Sequence, residues 1–336
     1  MAVAAGCLET AVVTEDGEVL WWGALVDDDS TEVLHGASLL SPNLVNIAGE
    51  RAVMVAAGRG HVAIVTEAGC VHTFGLGTDG RLGNGTNQDL RSPRAIGHGA
   101  APDGTNLFSA TERATMVACG YFHTAAVTSA HVCYCWGFGG RGQLGTGDLL
   151  SCLTPTLVEL GGQKVEMVAC GLMQTCAVTT TGCLYTWGGG EYGQLGLGDD
   201  LDRLHPCLVK FAEGDLVLGA SQAAPRIVSA CCGSYLSSAV ATDGALFTWG
   251  LGDDGQLGQG EDQLLRYFPG RVQGLPLVLL AAAGDAHMSA VTTTGQLWTW
   301  GHGKEGQLGQ GQTITCSAVP RRVLGALKFE CVVTTS

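Results

Sequence analysis

Short apolar runs, alternating with polar positions and separated by glycine-centred turns, fill this chain from end to end. Period-two alternation rich in β-branched and aromatic residues between turn residues marks strands, and four such strands fit one recurring unit. The first surrounds a Pro-x-x-Val step, as at Pro155–Val158 and Pro206–Val209; proline lacks an N–H for the ladder and suits a strand's edge or start. The second is an apolar run such as Met116–Cys119 or Met167–Cys170. The third passes through segments such as Thr124–Thr128, and the fourth is of the Leu184–Trp187 or Leu246–Trp249 type. Tight hairpins at Asp16-Gly17, Thr181-Gly182, Asp243-Gly244 and Thr294-Gly295 join the last two, with glycine supplying the positive φ. Outside fragments of two longer linkers, no window carries a sustained helical period.

The pattern is copied six times. Gly6, Gly58, Gly120, Gly171, Gly233 and Gly284 are each followed 16 residues later by an aromatic residue and then a glycine: Trp22, Phe74, Trp136, Trp187, Trp249 and Trp300. Copies two to six carry a box six residues after the aromatic, GRLG at Gly80–Gly83 and GQLG at Gly142–Gly145, Gly193–Gly196, Gly255–Gly258 and Gly306–Gly309. A proline then follows in every copy, from Pro42 to Pro320. Repeats near 1–53, 54–115, 116–166, 167–226, 227–278 and 279–336 fill the chain, so the reading is one domain. Four-stranded units of this length suggest blades arranged radially around a channel. Ring closure hides strand edges that would otherwise invite aggregation. An open solenoid is the structural alternative.

Composition adds constraints. The 52 glycines are periodic and 46% of residues are hydrophobic, so the glycine content signals turns rather than disorder. No run of 18 apolar residues exists to read as a membrane helix. The N-terminal Met1–Gly6 has no basic segment and lies within the first repeat, so a cleaved leader is not expected. Cysteine and alanine interchange before the landmark glycines (Ala5, Ala57, Cys119, Cys170, Cys232, Ala283), so cysteine reads as a small buried apolar residue. That use points to an intracellular, reducing compartment, cytoplasmic or nuclear. Neither Cys133-Tyr-Cys135 nor Cys231-Cys232 has the spacing of a zinc site, so no metal is expected. The Asn84-Gly85-Thr86 sequon reads as a turn.

Together the motifs resemble the RCC1-like repeat family (regulator of chromosome condensation), whose pattern runs G-x-L-x-x-W-G, GQLGxG, P-x-x-V and V-A-x-G-x-x-H-T. Leu184-Tyr-Thr-Trp187-Gly188 followed by Gly193-Gln-Leu-Gly196 shows the match, which covers almost the whole chain. The resemblance implies an all-β RCC1-like β-propeller with six repeat blades visible, against a family norm of seven. Departures exist: copy one has no GQLG, and only His61, His123 and His287 keep the family histidine, replaced elsewhere by Glu9, Gln174 and Leu236. The tail Phe329–Thr335 aligns with the strand preceding a landmark glycine. Either six blades close with that tail beside the N-terminus, or a seventh blade is absent or truncated.

No catalytic constellation stands out. The histidines lie on different blades and read as packing residues, and the tryptophans as inter-blade fillers. The GxGxxG-like match at Gly137–Gly142 lacks the strand–helix–strand context of a dinucleotide site, so no cofactor is expected. A photoreceptor reading, known for one plant branch of the family, needs a surface Trp–Arg cluster that the sequence does not display. The net charge of −14 disfavours direct nucleic-acid binding by the bare propeller. Acidic residues gather in loops after the boxes: Asp148, then Asp199, Asp200 and Asp202, then Glu261 and Asp262, with Asp27–Asp29 in copy one. They are candidate contacts for a basic protein partner. The longer linkers, 97–114 with Pro102 and Asp103, and 211–226, are candidate recognition loops. The expected function is a non-enzymatic protein–protein interaction scaffold or regulatory module. The alternative implied by the resemblance is guanine-nucleotide exchange on a Ran-like small GTPase, with the 97–114 insertion as wedge.

Overall fold

The computed structural model describes residues 2–25, 39–96, 112–211, 224–260, 264–311 and 314–325, which form six four-stranded antiparallel sheets. These are the six expected blades of an all-β propeller. Each sheet is a meander in chain order: in the first, Ala2–Ala5, Glu9–Val13, Val19–Gly23 and Leu39–Val45. The proline strand, read from sequence as opening a unit, instead pairs with the tryptophan strand of its own repeat and closes the blade as its outermost strand. There it needs a partner on one side only. In every blade a register break admits extra residues on this strand; between Cys135 and Gly137, for example, the partners step from Thr156 to Cys152, and Pro155 falls inside the break.

The first strands of all six blades line a central apolar channel of about 240 Å³. Buried side chains collect between blades: each of five clusters draws on two consecutive blades, such as Cys176, Val178 and Leu184 with Cys232, Ala239 and Trp249. Second strands such as His123–Thr128 and Gln174–Thr179 are buried along their whole length, which accounts for the apolar composition.

Two repeated devices lock the seams. A Cβ on Gly58 would lie 2.2 Å from the Gly120 carbonyl oxygen, and Gly6, Gly120, Gly171 and Gly233 abut the next landmark glycine's carbonyl in the same way. Only glycine lets the inner strands approach this closely. The second device is the tryptophan. Trp136, Trp187, Trp249 and Trp300 donate their indole N–H to the carbonyls of Arg81, Gln143, Gln194 and Gln256 of the preceding blade, at 2.9–3.0 Å. Phe74, whose preceding copy has no box, carries no N–H and packs edge-on against Trp21 at 6.1 Å. The tail Phe329–Thr335 lies outside the described residues.

Candidate interaction face

Alternating strand direction sorts the connections onto two faces. The turn after each landmark glycine and the box loop between third and fourth strands emerge on one face. Hairpins such as Asp16-Gly17, and the connections between blades, belong to the other. The acidic positions Asp148, Asp199, Asp200 and Asp202 therefore share the box face. The 97–114 connection leaves Ile96 and returns at Ala114 on the opposite face. Pro102, Asp103, Glu261, Asp262 and Asp27–Asp29 lie outside the described residues.

The position right after each landmark glycine is occupied by Cys7, Arg59, Tyr121, Leu172, Ser234 and Asp285. Each lies two residues past the end of an innermost strand, so the six turns meet at the channel mouth. Tyr121 of blade three donates its hydroxyl to the Asp285 carboxylate of blade six. Ser234 of blade five donates to the same oxygen at 2.8 Å, and the Arg59 guanidinium lies 5.6 Å from the Tyr121 ring centroid. Burial, and then the bond to Asp285, pushes the Tyr121 hydroxyl far above the usual tyrosine range. Burial, helped by the charges of Glu9 and Asp285, pushes the Cys7 thiol up to about 11. Neither group ionises near neutrality, so the mouth is a hydrogen-bonded plug carrying one carboxylate.

Around the plug, blades three to five present half-buried Phe122, Phe138, Met173, Tyr192 and Tyr235. Tyr192 and Tyr235 rings sit 4.5 Å apart, and Phe122 and Phe138 meet edge-on at 6.2 Å. Arg81, which replaces the box glutamine in blade two, is 1% exposed. Its guanidinium bonds the carbonyls of Thr78 and Arg59 and lies 5.1 Å from the Phe122 ring centroid. A glutamine here would instead accept from its own loop, as Gln143 does from the Arg141 N–H at 2.9 Å.

The loop carboxylates expected to meet a partner are not equivalent. Asp202 grips Arg141 of the neighbouring blade at 2.7 and 3.0 Å and accepts the Gly190 N–H at 3.0 Å. Asp199 pairs with Arg203 at 2.6 Å and accepts the Leu201 N–H. For both, partial burial raises the carboxyl, but the arginine bonds and charge more than offset it and the net direction is down. Asp148 caps its own loop through the Leu150 N–H at 3.0 Å. Asp200 is exposed and makes none of these bonds, so of the four it is the carboxylate whose charge is not already engaged.

The histidine column is part of the seam. His61 Nε2 contacts Thr124 Oγ1 at 3.0 Å, and His123 Nε2 contacts Thr175 Oγ1 at 2.8 Å, each in the following blade. The threonine hydroxyls donate onward to the Arg81 and Gln143 carbonyls, so the histidines are the donors. Burial pushes both imidazoles down to about 3, with the Arg81 charge adding to this at His61. They are neutral tethers. Glu9 and Gln174 replace them with bonds to Gly60 N–H and the Gly233 carbonyl, and Leu236 with apolar packing. Among the described residues no group of three His, Cys, Asp or Glu side chains is placed to hold a metal.

The family model described as RCC1-like domain matches residues 1–336. The chain is 33% identical over 334 residues to the ultraviolet-B receptor UVR8 of Arabidopsis thaliana, covering 96% of this chain and 70% of that one. It is also 33% identical over 331 residues to the human E3 ubiquitin-protein ligase HERC2, of which it spans only 6% while 96% of this chain is covered. Human WBSCR16 superposes with a TM-score of 0.84 at 24% identity, over 100% of this chain and 84% of that structure. With the seam glycines, tryptophan bonds and box loops in place along its length, this chain belongs to the RCC1-like domain family.

Proposed function

We propose that the chain is a non-enzymatic interaction module whose box face, centred on the channel mouth, receives a protein partner. One observation carries this reading: on a frame that repeats almost unchanged, the six mouth positions hold six different side chains. Variation concentrated on one end of a rigid scaffold is where recognition resides. The surrounding Phe, Tyr and Met side chains are residue types favoured at the centres of protein interfaces. Glu191, Asp200, Asp253 and Asp285 are exposed around them, and with the net charge of −14 they favour a partner with a basic surface. The setting proposed is intracellular; among the described residues no helix is long and apolar enough to cross a membrane.

The test is capture of partners by three forms of the protein: wild type, Tyr235→Ala with Asp200→Lys on the box face, and Lys164→Glu on the opposite face. A partner lost only by the box-face variant, with binding that weakens as salt rises, is the expected result. Loss only in Lys164→Glu would place recognition on the other face. Stimulated nucleotide release from a panel of small GTPases would replace this reading with the exchange-factor alternative.

A further inference from the structure

The fifth residue after each landmark glycine is matched across the seam by the residue before the next landmark glycine. The pairs are Ala11 with Ala57, Ala63 with Cys119, Ala125 with Cys170, Cys176 with Cys232, and Ser238 with Ala283. In the first four, both members belong to one buried cluster. Among these five pairs only Cys176 with Cys232 has sulfur on both sides, and there the two Sγ atoms are 3.1 Å apart. Cys176 is 1% exposed and Cys232 5%. A small apolar residue meets the packing need at this site, as the alanines show, so packing alone does not call for two thiols.

We propose that Cys176 and Cys232 form an oxidative modification site, in which hydrogen peroxide converts the facing thiols into a disulfide that staples blade four to blade five. One sulfur gives an electron pair to a peroxide oxygen; the O–O bond breaks, water leaves, and a sulfenic acid remains. The second sulfur then attacks the sulfenic sulfur. The S–S bond forms, the S–O bond breaks, and the departing hydroxide takes the second thiol proton as water. Two thiols are oxidised and one peroxide is reduced to two waters. Closure needs the sulfurs to approach from 3.1 Å to about 2.05 Å, a small movement for two side chains. Cys232 borders the central channel beside Cys170 and Cys231, which gives a small oxidant a route that larger disulfide reagents lack. The contact with the Cys232 sulfur, and then burial, raises the Cys176 thiol well above its ordinary range. Attack through a protonated thiol is slow, so the link accumulates under sustained exposure rather than as a rapid signal. Cys133 and Cys135 are two apart on one strand, about 6.6–6.8 Å along it, at the long limit for a disulfide.

The experiment treats the full chain with hydrogen peroxide, alkylates the remaining thiols, and maps cross-linked peptides by mass spectrometry without reduction. A 176–232 link is expected, together with a higher urea midpoint that dithiothreitol returns to the starting value. Neither should occur in Cys176→Ala, which takes the alanine found at positions 11, 63 and 125. If that variant does not fold, Cys232→Ala, matching Ala57 and Ala283, serves in its place. Complete oxidation of the exposed Cys183 and Cys316 with no 176–232 link would overturn the proposal, as would a link formed preferentially between other thiols.

Discussion

Replacing Glu9 with glutamine separates the cost of a buried charge from the benefit of a seam hydrogen bond. Glu9 is 3% exposed at the seam between blades one and two. Its Oε1 accepts the Gly60 N–H at 2.8 Å and its Oε2 the Leu8 N–H at 2.9 Å. Burial pushes the carboxyl from 4.5 to about 7, even though those N–H bonds pull it down. Between these values the folded chain holds a proton that the unfolded chain has released. The stability gained from that proton is therefore complete below 4.5 and is lost as pH rises through 7. At about 1.4 kcal/mol per pH unit, the interval amounts to roughly 3 kcal/mol. Glutamine is neutral throughout, and Gln174 shows how it fits: Oε1 accepts the Met173 N–H at 3.2 Å and Nε2 donates to the Gly233 carbonyl at 3.0 Å. Urea unfolding of both proteins, followed by tryptophan fluorescence from pH 5 to 8, isolates the effect, because other titrations cancel in the difference. From pH 5 to pH 8 the stability difference should shift in the variant's favour by about 2.5 kcal/mol. A stability difference that stays flat across this range would refute the reasoning, since Glu9 would then be ionised throughout.

Other perturbations follow from the same geometry. Gly58→Ala sets a Cβ 2.2 Å from a backbone oxygen and 2.4 Å from the His61 ring, so the melting temperature should fall sharply, with a loss on the order of 3 kcal/mol or more. Trp187→Phe strips one of the two donors from the Gln143 carbonyl, which keeps the Thr175 hydroxyl, and should cost about 1 kcal/mol in chemical denaturation; an effect no larger than that of an exposed substitution would count against the seam bond. Asp202→Lys breaks the bridge to Arg141 and should lower stability, whereas Asp200→Lys should leave the urea midpoint unchanged. Equal effects would show that the two carboxylates are interchangeable.

The blades were legible because the residues defining them are under steric compulsion. A landmark glycine that abuts a carbonyl, or a tryptophan whose N–H ties two blades together, recurs at fixed spacing, so spacing alone revealed them. Strand order within a blade was less legible, because a proline signals an edge without saying which edge. The mouth was missed for the opposite reason: Cys7, Arg59, Tyr121, Leu172, Ser234 and Asp285 share no chemistry, and only the convergence of six inner strands makes them neighbours. Their signal was a variable column set beside an invariant glycine. That Asp202 is bridged to Arg141 was not legible, because the two lie 61 residues apart, a distance that only blade packing closes.

The interrupted outer strands bear on how six near-copies of one sheet stay apart. Each blade ends in a strand with one unpaired rim, and apolar side chains such as Leu44, Leu157, Leu208 and Phe268 are exposed along it. Left straight, such rims would recruit the matching segment of another molecule, and tandem copies multiply the wrong pairings on offer. A proline set inside a register break, from Pro42 to Pro320, removes a donor and bends the rim where an incoming chain would need continuity. Protection of the periphery thus rests on six small local irregularities, and straightening any one of them would leave that rim open to an incoming strand.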